Sequence, residues 1–355
     1  MIFYRQGRFS IGTEMKEKEW TYAKAGVDID RKSQAISALV GHLKYRRSGK
    51  GKMIDLPGQF TGLIDMGDHI LTLATDGVGT KLLVAEALNK WDTMGIDCMA
   101  MNVNDTICVG AEPIAFVDYI AIDEPRPEIT DQIGKGLNVA AEMANVDLVG
   151  GEVAVLPEMV KGVDLSGTAL GLLEKDKMVT GAEIEEGDVI IGMLSSGVHS
   201  NGMTLARKVL SSAGVSLHDE VDGLDGSVGL ELLTPTCIYV RDVLKVVDAV
   251  KVTGMVDVTG GGLKNFVRLK KGFEYRITDP IAPQPIFQAI QRIGGVTDHE
   301  MYKTFNMGMG YGIVLRPEGV EEALSILKGK AEVVGKVVKG SGCGIPRLKV
   351  HYDTY

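Results

Sequence analysis

A polar, acidic stretch in mid-chain, KDKMVTGAEIEEGD (175–188), constrains the fold most, because it separates two series of strand-like and helical runs. Before it stand HILTLATD (69–76), IAFVDYIAI (114–122), DLVGGEVAVL (147–156) and DLSGTALGLLE (164–174), with helical stretches separating three of them. After it the chain restarts with VIIGML (189–194); EYRITD (274–279), GYGIVLR (310–316), AEVVGKVVK (331–339) and LKVHY (348–352) then alternate with helical segments. At 355 residues the chain exceeds the roughly 250 to 300 that one hydrophobic core organises. The pattern predicts two α/β domains, 22–175 and 176–355. Ahead of them, 1–21 reads as a disordered extension in which Met15 is an alternative start.

Charge narrows the choice of partners. A formal net charge of -9 repels polyanions, which argues against nucleic acid. No apolar run reaches the roughly 18 residues of a membrane helix, and MIFYRQGRFSIG lacks a secretory apolar segment. The expected location is the cytoplasm. Cys98, Cys108, Cys237 and Cys343 stand far apart without a CxxC pair, so reduced thiols are expected rather than zinc. Glycine, at 45 residues, is nearly twice its roughly 7% average share, so many turns must approach something closely.

Residues 28–44 space Ile29, Ile36, Leu39, Val40 and Leu43 as one helical face. The basic, glycine-bearing stretch 46–62 reads as a lid over phosphates or as a solvated loop. In TDGVGTK (75–81), two glycines let Asp76 and Lys81 project beside exposed amides, which suits magnesium and phosphate; a turn with a surface ion pair is the plainer reading. GIDCMAMNVNDTICVGAEP (95–113) reads as a helix with Ile96, Met99, Ala100, Val103 and Ile107 on an apolar stripe. Asp97, Asn104 and Asp105 fall on another face, where they are a cation-ligand set or a solvated polar face. In GGEVAVLPEM (150–159), Glu152 sits in a run apolar enough to be buried, which calls for a cation or an ion-pair partner. SSGVHSNG (195–202) follows a strand and opens a helix, an arrangement that binds anions through hydroxyls and amides; His199 there is either a site residue or a turn residue. DVTGGGLKNFVRL (257–269) repeats the arrangement, and Asn306, Gly308 and Gly310 lead into a strand. No P-loop, dinucleotide-binding or nucleophile-elbow fingerprint occurs.

In order, YAKAGVDID (22–30), TDGVGTK, GIDCMAMNVND with GAEP, SSGVHSNG, TGGG and TFNMGMG resemble the successive signatures of the phosphoribosylformylglycinamidine cyclo-ligases. The resemblance implies an ATP- and magnesium-dependent enzyme of purine biosynthesis that cyclises formylglycinamidine ribonucleotide to aminoimidazole ribonucleotide. It implies an N-terminal domain for ATP, metal and dimerisation, contributing four strands to an eight-stranded barrel in a homodimer, and a C-terminal α/β sandwich for the substrate. By matched position, Thr75, Asp76, Lys81, Asn104, Asp105, Gly150 and Gly151 would contact ATP, and Asp76, Asp97, Asp105 and Glu152 would hold magnesium. Ser195, Ser196, His199, Ser200, Asn201, Gly260, Gly261 and Gly262 would face the ribonucleotide, with His199, Lys81 and Asp76 catalytic. Val153 and Val155 stand where the family usually shows threonine and glutamate. Thiamine monophosphate kinase and a non-catalytic nucleotide-binding relative are the alternatives.

Overall fold

The computed structural model describes residues 20–21, 24–26 and 29–355. Met15, most of the expected extension and part of the YAKAGVDID motif lie outside them.

Six strands form the first sheet: β1 (Lys52–Ile54), β2 (Gly62–Asp65), β3 (His69–Gly77), β4 (Glu112–Ile122), β5 (Asp147–Val155) and β6 (Val163–Glu174), in the order β1-β2-β3-β6-β4-β5. The four expected strands are all there, as β3 to β6. The segment expected to be a lid or loop instead contains β1 and runs into β2, a hairpin with Met53 opposite Ile64 that extends the sheet beyond β3. Three residues between glycine-bearing flanks are too few to show as a periodic run.

Helix α1 (Ile29–Val40) precedes the sheet, and Ile36, Leu39 and Val40 on its apolar face are exposed. After β3 come α2 (Leu82–Leu88) and α3 (Met94–Ile107); α4 (Pro127–Ala144) makes the crossover between the parallel pair β4 and β5. α3 lies across β3, β4 and β6, with α4 packed on it. The strands alternate accordingly, burying Ile70 and Ala74, Phe116 and Ile120, and Leu165 and Ala169 under the helices. Leu73, Val117 and Tyr119 stay exposed on the other face, and along the edge strand β5 Val149 is 64% exposed. The sequence reading placed Glu152 in a buried strand, but this edge position exposes it.

Seven strands form the second sheet: β7 (Val189–Leu194), β8 (Val252–Asp257), β9 (Phe273–Ile277), β10 (Met309–Leu315), β11 (Ala331–Lys339), β12 (Cys343–Ile345) and β13 (Val350–Tyr352). Their order is β13-β12-β9-β11-β7-β10-β8. β8 and β12 were not legible in the sequence, β8 because a central glycine interrupts its apolar run. Both are buried, and β8 ends at Asp257, directly before the glycine loop. No helix among the described residues is long and apolar enough to cross a membrane.

Candidate functional site

Most of the motif residues gather where the two halves meet. β3 delivers Asp76 to this seam, and Asn102 on α3 fixes it there by accepting from the Asp76 amide at 2.7 Å and donating to its carbonyl at 3.2 Å. The Asp76 carboxylate takes the Gly77 amide at 2.7 Å and is exposed. Thr75 reaches across to the neighbouring strand β6 and donates to the Gly167 carbonyl at 2.9 Å.

Facing Asp76 are two more carboxylates, half-buried Asp105 on α3 and buried Asp257 at the end of β8. Asp105 Oδ1 and Asp257 Oδ2 are both shut off from solvent and have no hydrogen-bond partner among the described residues. Burial, and after it the negative charge of Asp76, holds the Asp105 carboxyl well above the usual range. Burial, Asp105 and Asp76 do the same to Asp257, while the Arg268 guanidinium pulls both back down. Buried carboxylates so close together call for a cation or a shared proton. No three His, Cys, Asp or Glu side chains among the described residues are grouped to hold a metal unaided. A hard cation here would therefore complete its shell with oxygens from a ligand or water. The sequence reading missed Asp257 and Asn102; an acid ending a buried strand just before three glycines was the signal available.

The sequence reading expected Asp97, Asn104 and Asp105 on one open helix face. They do share a side of α3, but the segment 234–239 of the second half closes it over Asp97 and Asn104. Asp97 pairs with Lys81, Nζ lying 2.9 Å from both oxygens, with both side chains 0% exposed. Asp97 Oδ1 also accepts from the Thr236 amide at 2.9 Å and its hydroxyl at 2.5 Å, and Lys81 donates to the Thr234 carbonyl at 2.7 Å. Burial, partly offset by Asp97, lowers the Lys81 ammonium below its ordinary value. Asn104 donates to the Cys237 carbonyl at 2.8 Å and accepts from the Tyr239 amide at 3.1 Å. Charge on this face thus pins the two halves together.

The loop 195–202 is equally well held. Ser195 donates to Asn306 Oδ1 at 2.9 Å, Ser196 to the Pro235 carbonyl at 2.6 Å, and Asn306 to the Gly197 carbonyl at 2.8 Å. Ser200 lies 3.5 Å from the Thr236 hydroxyl, and Asn201 donates to Met101 Sδ at 3.7 Å. His199 has φ of 60°, a left-handed conformation costly for a side chain with a Cβ, and its Nε2 accepts from the Ser196 amide at 3.3 Å. Burial, then the nearby Lys81 charge, pushes its imidazole down to about 3, so the ring is neutral near pH 7. Gly310 makes room for it: a Cβ there would stand 2.7 Å from His199 Cε1 and 2.0 Å from the Tyr239 hydroxyl.

Gly260 lies beside that loop, since a Cβ on it would meet Asn201 Oδ1 at 2.8 Å, while Gly261 and Gly262 pack elsewhere, a Cβ on Gly262 meeting the Tyr302 carbonyl at 2.1 Å. Gly150, Gly151 and Glu152 stand apart on β5, Glu152 in register with Tyr119, and the charges acting on Asp105 are those of Asp76 and Arg268.

Comparison with known proteins adds lineage to this geometry. Residues 58–173 match the family described as AIR synthase related protein, N-terminal domain, and residues 185–346 the C-terminal domain of the same family. A Methanosarcina barkeri protein named phosphoribosylformylglycinamidine cyclo-ligase is 47% identical over 95% of this chain and 100% of its own length. A Methanocaldococcus jannaschii protein of the same name is 46% identical over 90% of this chain and 92% of its own. Among solved structures, AaThiL complexed with AMPPCP and TMP superposes with a TM-score of 0.61 at 15% identity, covering 97% of this chain and 100% of that one. T. maritima PurL complexed with AMPPCP gives 0.54 at 16% identity, over 84% of this chain and 46% of that one. At such identities the two structures speak for the fold alone.

Proposed function

The chain belongs to the phosphoribosylformylglycinamidine cyclo-ligase family, and from that premise we propose that the seam between its halves is where ATP drives closure of an imidazole ring. The protein is a ligase that forms a C–N bond, converting formylglycinamidine ribonucleotide to aminoimidazole ribonucleotide. In the route we propose, the formyl amide oxygen attacks the γ-phosphorus of ATP and ADP leaves. The amidine nitrogen then attacks the activated carbon, and that oxygen departs with the phosphate. Phosphorylation turns a poor leaving oxygen into a good one.

One observation carries the placement: the orphaned oxygens of Asp105 and Asp257, buried beside Asp76, in a chain matched along nearly its whole length by relatives of this one name. Asp105 and Asp257, with Asp76 facing them, would bind magnesium only together with oxygens of the ATP phosphates and water, and magnesium when bound neutralises charge on the phosphates and orients them. Asn102 keeps Asp76 in register for that task. Lys81 and Asp97, spent on each other and on segment 234–236, serve by fixing the seam rather than by touching phosphate. The neutral His199 accepts a hydrogen bond at Nε2, which leaves its proton on Nδ1, from which it would donate a hydrogen bond toward the substrate. The hydroxyls and amides of 195–202 and Gly260 to Gly262 would orient the ribonucleotide. Thr75, Gly150 and Gly151 would lie toward ATP, the two glycines from an edge strand that a partner chain would complete.

That partner is a second copy. The uncovered face bearing Leu73, Val117 and Tyr119, together with the exposed edge of β5, is what strands β3 to β6 would present in closing an eight-stranded barrel across a dimer axis. The enzyme would work as a cytoplasmic homodimer with domains meeting near residue 175. Purified protein supplied with ATP, magnesium and formylglycinamidine ribonucleotide should yield aminoimidazole ribonucleotide. Phosphorylation of thiamine monophosphate with no cyclised product would overturn the assignment.

A further inference from the structure

The turn joining β1 to β2 reaches across the seam and is caught there by one side chain. Arg268 ends the short 3-10 helix Gly262–Arg268 that starts from the glycine loop. Its Nε donates to the Gly58 carbonyl at 3.1 Å and its Nη2 to the Gln59 carbonyl at 2.8 Å, while its Cζ lies 3.8 Å from the centre of the Phe60 ring. The turn comes so close that a Cβ on Gly58, whose φ is +91°, would stand 2.7 Å from the Arg268 carbonyl. Gln59 adds a hydrogen bond of 3.2 Å to the Thr180 carbonyl. The centre of the Tyr355 ring lies 4.9 Å from Cζ, and Tyr355 Cε2 would be 3.3 Å from a Cβ on Gly261.

A planar fork that donates to two adjacent carbonyls while its guanidinium lies over the Phe60 ring and near the Tyr355 ring is a geometry specific to arginine; a lysine ammonium reproduces neither the fork nor the planar contact. Arg268 is also the positive charge acting on both Asp105 and Asp257. It therefore joins three things: the β1–β2 turn of the first half, the glycine loop of the second, and the acidic pair between them.

We infer that Arg268 is a positioning residue, a clamp that locks the Gly58–Phe60 turn and the Tyr355 ring onto the glycine loop and so holds that loop in its substrate-ready form. Its effect on turnover rests on the reading of the seam as the cyclo-ligase site, whereas the clamp itself is testable without substrate. Once the clamp is released, the turn opens locally while the sheets stay folded, and the loop loses its backing.

Hydrogen exchange of peptides spanning 55–61 and 258–266 should therefore rise about tenfold or more in Arg268→Met, because each lost charge-assisted hydrogen bond is worth roughly that factor or more. Exchange in β6 should be unchanged. Arg268→Lys should recover only part of the protection, and Phe60→Leu, which keeps the backbone hydrogen bonds, should sit between wild type and Arg268→Met. In the cyclisation assay, Arg268→Met should raise KM for the ribonucleotide about tenfold with kcat within about threefold. Unchanged exchange at 55–61 in Arg268→Met, or full protection in Arg268→Lys, overturns the clamp. A kcat collapse at unchanged KM would instead put Arg268 in the chemistry and also overturns it. Wild-type protein that forms no aminoimidazole ribonucleotide defeats the functional reading but leaves the exchange result standing.

Discussion

Replacing Lys81 with methionine separates the two roles open to that lysine. If it met phosphate, its loss would cost turnover and leave the fold alone. In the structure Nζ is enclosed, with both Asp97 oxygens at 2.9 Å and the Thr234 carbonyl at 2.7 Å. Methionine fills similar volume but strands the Asp97 carboxylate with only the Thr236 amide and hydroxyl for company. Breaking one side of a buried pair costs about 3–5 kcal/mol. At roughly 2–4 °C of melting temperature per kcal/mol for chains of 150–250 residues, Tm should fall on the order of 10 °C. Removing the stranded charge as well, in Lys81→Met/Asp97→Asn, should restore at least about half of the loss, since the asparagine oxygen can still accept from Thr236. Differential scanning calorimetry beside a product assay reads both effects. A Lys81→Met protein that melts within about 2 °C of wild type yet has lost nearly all turnover would refute the pinning role and return Lys81 to the phosphates.

Asp105→Asn removes a buried, orphaned charge, so it should hold or raise Tm while lowering turnover more than about a hundredfold; a clear drop in Tm with activity kept would show the carboxylate to be structural. His199 titrates at about 3 when folded against an ordinary value of 6.5, so below pH 6.5 the unfolded chain binds a proton the folded chain refuses. This residue should accordingly cost stability by up to about 1.4 kcal/mol per pH unit as the pH falls from 6.5 toward 3, and His199→Gln should flatten that slope of the Tm profile; an unchanged slope refutes the buried neutral ring. Val149→Asp, on the exposed edge of β5, should yield a monomer by sedimentation with turnover largely lost, and a fully active monomer would dispose of the barrel.

Residue periodicity alone located β3 to β6 and five strands of the second sheet, because each carries an apolar run or alternation long enough to register. It also put Asp97, Asn104 and Asp105 on one side of α3, since a 3.6-residue repeat needs nothing beyond the chain itself. The glycine loops and the ordered motifs were equally local, and with them came the family. What covers that side of α3 was not local. Segment 234–239 lies more than a hundred residues away, and its arrival makes Asp97 half of a sealed ion pair while Asp105 is left facing another buried acid. Asp257 is the same lesson from the other side: a lone aspartate before three glycines says little until folding brings it against Asp105 and Asp76. β8 and the β1–β2 hairpin escaped because short or glycine-broken strands draw their stability from neighbours across the sheet. Residue type and spacing determined which groups the protein owns, and tertiary packing decided which of their charges remain uncompensated and therefore available to a ligand.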